Sequence, residues 1–162
     1  MRKVRPADLL NREVIRLDET RISRAFRGKR VLVSGAGGTI GAELVRQTLR
    51  YEPAEICLVE AHATSLFYID QEAKELAHGA RVISILGDIR NHAFLECLFQ
   101  ERKPQIVLHA AAHKHVHQLE MNIHEGIQNN SLATLALCEA SLKHAVETFL
   151  LVSTDKAVKP SS

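Results

Sequence analysis
Chemistry in this chain is concentrated in a few short stretches. Ser153-Thr-Asp-Lys-Ala157 sets two hydroxyls, a carboxylate and an amine side by side just past an apolar run. These are the most chemically loaded residues in the chain, although a turn capped by Ser153 and Asp155 would use the same residues. Val31-Leu-Val-Ser-Gly-Ala-Gly-Gly-Thr-Ile-Gly41 is an apolar run that breaks into glycines, with Gly35, Gly38 and Gly41 three apart and Gly37 as a further small residue. Permissive dihedrals allow a tight turn, a missing Cβ allows a pyrophosphate to approach, and a third small residue allows a helix to pack closely on the sheet. The N–H groups at the helix start, those of Thr39, Ile40 and Gly41, would then face the phosphates.

Glu60 ends the next apolar run, about 20 residues beyond the turn, where an acid accepts hydrogen bonds from the adenosine ribose hydroxyls and repels a 2′-phosphate. That favours NAD over NADP as cofactor, with a helix-capping or solvated glutamate as the alternative. Asp88 and Ile89 follow the third apolar run and are placed for the adenine end of a dinucleotide; Asp88 could equally cap the next helix. Ala110, Ala111 and Ala112 follow the fourth run, and their small side chains would let backbone approach a flat cofactor. His113-Lys-His-Val-His117 raises the question of a metal, because alternating imidazoles on an extended chain share one side. No carboxylate or cysteine stands at a ligand-like spacing, so we expect no metal site. Lys114 and His115 are better read as the rim of a substrate site, and His117 as incidental.

These groups need a scaffold, and the apolar periodicity supplies one. Strands are expected at 31–34, 56–59, 81–86, 105–109 and 147–152, and helices at 42–50, 64–78, 94–101 and 123–144. Such alternation predicts an α/β fold, a Rossmann-like doubly wound parallel sheet of five strands in the order 3-2-1-4-5. The switch point then falls between the first and fourth strands, so the glycine turn faces the alanine run. In the long last helix, Leu132, Leu135, Ala136, Cys138 and Leu142 are the expected apolar set. Asn130 is a poor helix former there, and buried it would have to hydrogen-bond the backbone of a neighbouring loop.

With 162 residues and 46% hydrophobic content the chain supports one core. Residues 1–28 read as a basic arm, with a short helix starting at Asp18 or Thr20 and running through Ile22 and Phe26; residues 29–162 form the dinucleotide-binding domain. A net charge of +2 gives no argument for nucleic acid as a partner. Cys57, Cys97 and Cys138 sit in apolar patterns and are expected to be buried, reduced thiols, which points to the cytosol.

The glycine turn, the Ala110-Ala-Ala-His-Lys-His-Val116 stretch and Ser153-Thr-Asp-Lys-Ala-Val-Lys-Pro160 together resemble the extended short-chain dehydrogenase/reductases. More narrowly, they are similar to the CapD/WbpM-like polysaccharide-biosynthesis enzymes, the nucleotide-sugar 4,6-dehydratases. This resemblance implies a nucleoside diphosphate hexose as substrate, UDP-N-acetylglucosamine above all. Hydride leaves C4 for NAD+, the C4 ketone acidifies the C5 proton, water leaves from C6, and hydride returns to C6. It further implies that Thr154 hydrogen-bonds the C4 oxygen, Asp155 protonates the departing C6 hydroxyl and Lys156, held neutral, removes the C5 proton. Lysine where related dTDP-glucose enzymes carry glutamate implies the C5-inverting type.

The resemblance departs at His113, His117 and Ala133, where the family usually has an aromatic or aliphatic residue, a proline and a glycine. The sequence ends at Ser162, ahead of the YxxxK-type segment and the carboxyl-terminal region that grips the sugar nucleotide, so this stretch is expected to be inactive by itself. Arg5-Pro-Ala-Asp-Leu-Leu10 and Val14 resemble the segment that follows membrane-spanning helices in long family members, which implies a parent protein anchored on the cytoplasmic face of the inner membrane. Pairing of chains through the helix before the fifth strand is also implied. A non-catalytic dinucleotide-binding module, or an epimerase or reductase of the same superfamily, would preserve the fold and the glycine turn.

Overall fold
A computed structural model describes residues 17–154. Asp155 and Lys156, together with Arg5 to Leu10 and Val14 of the arm, lie outside the described residues. The elements run α1 (Glu19–Phe26), β1 (Arg30–Ser34), α2 (Thr39–Leu49), β2 (Glu55–Glu60), α3 (Ala63–Leu76), β3 (Arg81–Leu86) and α4 (His92–Arg102). Then come β4 (Ile106–His109), α5 (Val116–Met121), α6 (Ile123–Gly126), a π-helical segment (Ile127–Leu132), α7 (Ala133–Lys143) and β5 (Thr148–Leu151).

All five strands are parallel and lie in the order β3-β2-β1-β4-β5, as expected. The central strands are apolar on both faces because both are covered. Val31, Val33, Ile56, Leu58, Ile106 and Leu108 point to one side, where Val45 and Leu49 of α2 and Leu66, Ile69 and Ala73 of α3 cover them. Leu32, Cys57, Val59 and Val107 point to the other, against Leu95, Leu98 and Phe99 of α4 and Ala133, Ala136 and Leu137 of α7. The chain builds outward from β1 to β3 and then returns to β4 on the opposite flank of β1. Right-handed crossovers in the two directions put their helices on opposite faces, which opens a crevice where β1 and β4 part.

Local signals explain the element ends. Asp18 caps α1 by accepting from Arg21 N at 3.0 Å. Phe26 stacks on Tyr51, whose hydroxyl donates to Glu19 at 2.7 Å, so this helix is seated on the loop after α2. Asn91 caps α4, accepting from Phe94 N at 3.1 Å. Asp88 therefore does not fill the capping role that was its alternative.

Two expectations about packing need correction. The expected helix over 123–144 is a continuous helical run, but its buried stripe is Ala133, Ala136, Leu137 and Ser141, while Leu132, Leu135 and Leu142 are exposed. Small residues on either side of Leu137 lie against the sheet because they let the helix approach it closely, and Leu132, Leu135 and Leu142 are left outside; of the expected apolar set Ala136 is buried. Of the cysteines only Cys57 is buried, and burial pushes its thiol up to about 12. Cys138 is half-buried and Cys97 is exposed on α4, where its Sγ donates to Glu101 at 3.4 Å.

Gly41 shows how tightly α2 sits on the turn that precedes it: a Cβ there would fall inside the Gly35 carbonyl oxygen. The obstacle is backbone and cannot rotate away. Gly41→Ala should therefore destabilise the chain by at least about 2 kcal/mol, an overpacking cost measurable by urea unfolding.

Candidate functional site
A cavity of about 440 Å³ opens at the crevice between β1 and β4. Its wall includes Gly35, Gly37 and Gly38 from the first turn, Glu60 from the end of β2, Asp88 and Ile89 from the loop after β3, and Ala110, Ala111 and Ala112 from the loop after β4. Residues scattered over 78 positions of sequence, from Gly35 to Ala112, thus share one surface. The two loops also touch each other. Gly35 has φ +69°, and a Cβ on it would stand 2.6 Å from the Ala111 backbone. No side chain caps the start of α2. As first-turn amides, those of Thr39, Ile40 and Gly41 have no acceptor within the helix and present partial positive charge toward an anion.

Glu60 is buried and its carboxylate is already engaged. It accepts from Gly37 N at 3.0 Å, from Ala61 N at 2.9 Å and from His62 N at 3.1 Å. A carboxylate offers about four acceptor positions, so three are filled and one is left. The same side chain therefore fastens the glycine turn to the end of β2. Across the cavity, Asp88 is paired with Arg90 Nη2 at 2.7 Å, and that guanidinium holds the carboxyl below its ordinary range. Arg90 reaches on to Glu125 of α6 at 2.9 Å, which ties the loop after β3 to the helical run beyond the alanines.

Asn130 sits inside the π-helical segment and grips the loop after β4. Its Oδ1 accepts from His113 N and its Nδ2 donates to His113 O, both at 2.8 Å, so the carboxamide pairs with the peptide as a neighbouring strand would. The expected hydrogen bond from this residue to loop backbone is thus present. The wider π turn is a form often met at functional sites. Lys114 and His115 are exposed on the same loop and do not line the cavity, whereas His113 and Asn129 do. His115 is the N-cap of α5 and His117 lies within it, so the histidine string is not one extended row. Among the described residues, no three His, Cys, Asp or Glu side chains are grouped to hold a metal ion. Thr154 is exposed just past β5, whose end is joined to β4 by Val152 N donating to His109 O at 2.9 Å.

Sequence reasoning missed the buried polar residues beneath this surface. Ser34 and His109 end the paired strands β1 and β4 in register, and Ser34 Oγ stands 2.6 Å from His109 Nδ1. On its other side His109 Nε2 meets Thr134 Oγ1 at 2.8 Å. Burial lowers the His109 pKa to about 4, so the imidazole is neutral. The only hint in the sequence is a histidine ending an apolar strand.

Comparison with known proteins follows the same lines. Residues 31–162 match the family model described as polysaccharide biosynthesis protein. Over its full length the chain is 40% identical to the capsular polysaccharide biosynthesis protein CapD of Staphylococcus aureus, of which it spans 27%. It is 29% identical, over 83% of its length, to a UDP-N-acetylglucosamine 4,6-dehydratase (inverting) of Campylobacter jejuni, spanning 39% of that protein. Among solved structures, UDP-glucose 4-epimerase from Bifidobacterium longum in complex with NAD+ and UDP superposes with a TM-score of 0.69 at 25% identity, covering 80% of this chain and 38% of that one. The chain thus spans between about a quarter and two fifths of these relatives.

The neutral His109 makes a sign-definite prediction. Its folded pKa is depressed to about 4, while the unfolded imidazole titrates near its ordinary value of about 6.5. Below that value the unfolded chain binds the extra proton, so stability falls as pH drops from about 6.5 toward about 4, by up to roughly 3 kcal/mol. His109→Leu should flatten the dependence of unfolding free energy on pH in that window, measured by urea unfolding between those values.

Proposed function
The chain belongs to the polysaccharide biosynthesis protein family, and we propose that it is the dinucleotide-binding part of a nucleotide-sugar 4,6-dehydratase that uses NAD and acts on UDP-N-acetylglucosamine. The observation that carries this reading is the cavity at the β1–β4 switch point. There a glycine turn, an acid at the end of β2 and a run of alanines converge, and Gly38 at the uncapped start of α2 joins them; Thr39, Ile40 and Gly41 follow it without lining the cavity.

The residues present suit a dinucleotide. The Gly35 to Gly38 turn leaves backbone open to a pyrophosphate, and the amides of Thr39, Ile40 and Gly41 direct partial positive charge at it. Glu60 offers its remaining acceptor position to a ribose hydroxyl and its charge against a 2′-phosphate. Asp88 and Ile89 flank the adenine end, while Ala110, Ala111 and Ala112 let the cofactor lie against backbone. NAD+ bound here supplies a hydride acceptor for C4 of the sugar and a donor for C6.

The chain's own part in the reaction lies at the end of β5. Thr154 hydrogen-bonds the oxygen at C4 and holds it in line for oxidation. Asp155 keeps the proton that the departing C6 hydroxyl takes, and Lys156 in its neutral form receives the proton from C5. The C5 proton becomes acidic only beside the C4 ketone, so oxidation precedes elimination. The 29% identity to an inverting UDP-N-acetylglucosamine 4,6-dehydratase supports the sugar and the inversion at C5. We infer a cytosolic place for this part of the parent protein, with Lys114 and His115 on the exposed loop after β4 as the rim of the substrate site.

Isothermal titration tests the cofactor. The chain should bind NAD+ at least tenfold more tightly than NADP+, and Glu60→Gln should reduce that preference while weakening NAD+ by about tenfold, the scale of one charge-assisted hydrogen bond. Equal affinity for the two dinucleotides would remove Glu60 from the ribose. For the reaction, the parent enzyme carrying Lys156→Ala should lose at least about 100-fold in the rate of C5 proton exchange with solvent, as expected for a general base.

A further inference from the structure
Ser34, His109, Thr134 and Asn130 stand on four different elements, β1, β4, α7 and the π-helical segment, yet their polar atoms form one unbroken chain. Ser34 Oγ is 2.6 Å from His109 Nδ1, His109 Nε2 is 2.8 Å from Thr134 Oγ1, and Thr134 Oγ1 donates to the Asn130 carbonyl at 2.8 Å. Only one arrangement of protons satisfies all three contacts with a neutral imidazole. A carbonyl accepts only, so the single hydroxyl proton of Thr134 goes to Asn130. Thr134 Oγ1 can then meet His109 only as an acceptor, which places the imidazole proton on Nε2. Nδ1 is left bare, and the Ser34 hydroxyl must donate to it. Every bond runs the same way, from the first strand to the helix.

The far end of this chain is a residue with two duties. The Asn130 carbonyl receives the relay, and the Asn130 carboxamide holds both backbone atoms of His113, next to Ala112 on the cavity wall. At the near end, Ser34 immediately precedes Gly35. The relay therefore links the root of the glycine turn to the anchor of the opposite loop, across the line where a Cβ on Gly35 would stand 2.6 Å from Ala111. His109 itself is fully buried and touches neither cavity nor solvent.

We propose that His109 is a positioning residue for the cavity: as the Nε2–H tautomer it orients Thr134 and, through the Asn130 carbonyl, holds the carboxamide that keeps residues 110–113 against the glycine turn. The consequence for cofactor affinity rests on the reading of this cavity as a dinucleotide site. A buried histidine that merely fills space would need no particular tautomer and would leave the His113 contact unaffected.

Three measurements on the whole chain decide it. Imidazole nitrogen spectra should show His109 at neutral pH as a single neutral Nε2–H tautomer; an Nδ1–H form or an imidazolium would overturn the proposal. His109→Gln preserves a donor and an acceptor, whereas His109→Leu preserves only apolar volume. Under conditions where both are fully folded by circular dichroism, the Leu variant should speed hydrogen exchange at the His113 amide by about tenfold or more, and the Gln variant should stay within about threefold of the original. His113 exchange unchanged in the Leu variant would sink the idea. Should that variant not fold, Thr134→Val takes its place and Thr134→Ser must restore slow exchange. NAD+ titration is the third readout, with an expected rise in Kd of about tenfold for the Leu variant alone. A chain that binds no NAD+ in its original form would refute the proposed function, and the tautomer and the His113 exchange would still judge the relay.

Discussion
The ends of β1 and β4 meet so closely that backbone touches backbone: a Cβ on Gly35 would stand 2.6 Å from Ala111. Much of the architecture follows from permitting that approach. Positive φ at Gly35 turns the chain out of β1 without a side chain in the gap, and Gly41 lets α2 settle directly on the turn. The alanines opposite add the least bulk that still fixes a backbone. Ser34 and His109 are level in the strand register, so the two loops leave the sheet at the same height and the crevice opens between them. A shift of either strand by one residue would turn Ser34 and His109 to opposite faces and break their contact.

The sheet was legible because its central strands are covered on both faces and so read as plain apolar runs, each bounded by glycine, proline or a charged residue. The α1 start was legible from Asp18, and the grip of Asn130 on loop backbone from the unsuitability of asparagine within a helix. The face that α7 buries was not. Leu132, Leu135 and Leu142 form one stripe and Ala133, Ala136, Leu137 and Ser141 another of the same helical period; three leucines drew the expectation to the first, and of the expected set only Ala136 lies on the buried one. Close approach to the sheet selects small side chains, and how near a helix lies depends on what α4 has already filled. Cys97 misled for a similar reason: its neighbours Leu95, Leu98 and Phe99 are buried, and one helical step takes it to solvent.

Polar groups were harder still, because hydrogen-bonding capacity depends on direction. Glu60 could be assigned an acidic role from its place after β2, but not the three backbone amides that occupy it. His109 and Ser34 lie 75 residues apart and each ends an apolar strand, a position in which either would ordinarily pass as incidental. Their pairing becomes visible only when β4 is laid beside β1. The cavity was therefore predictable as a place, while the network that shapes it required coordinates.

Glu60 brings these threads together under the proposed use of NAD. Its carboxylate secures Gly37 within the phosphate turn and the first amides of the loop into α3, and it also bears the charge that would disfavour a 2′-phosphate. Discrimination at the ribose and the shape of the pyrophosphate turn are then properties of one side chain. A substitution that admitted a 2′-phosphate by removing the charge would also weaken the bonds to the turn, since hydrogen bonds to an ionised acceptor are roughly twice as strong as neutral ones. Only a replacement that restored an acceptor for the Gly37 amide could change the preference while leaving the turn in place. Cofactor choice in this chain is for that reason coupled to the geometry of its first loop.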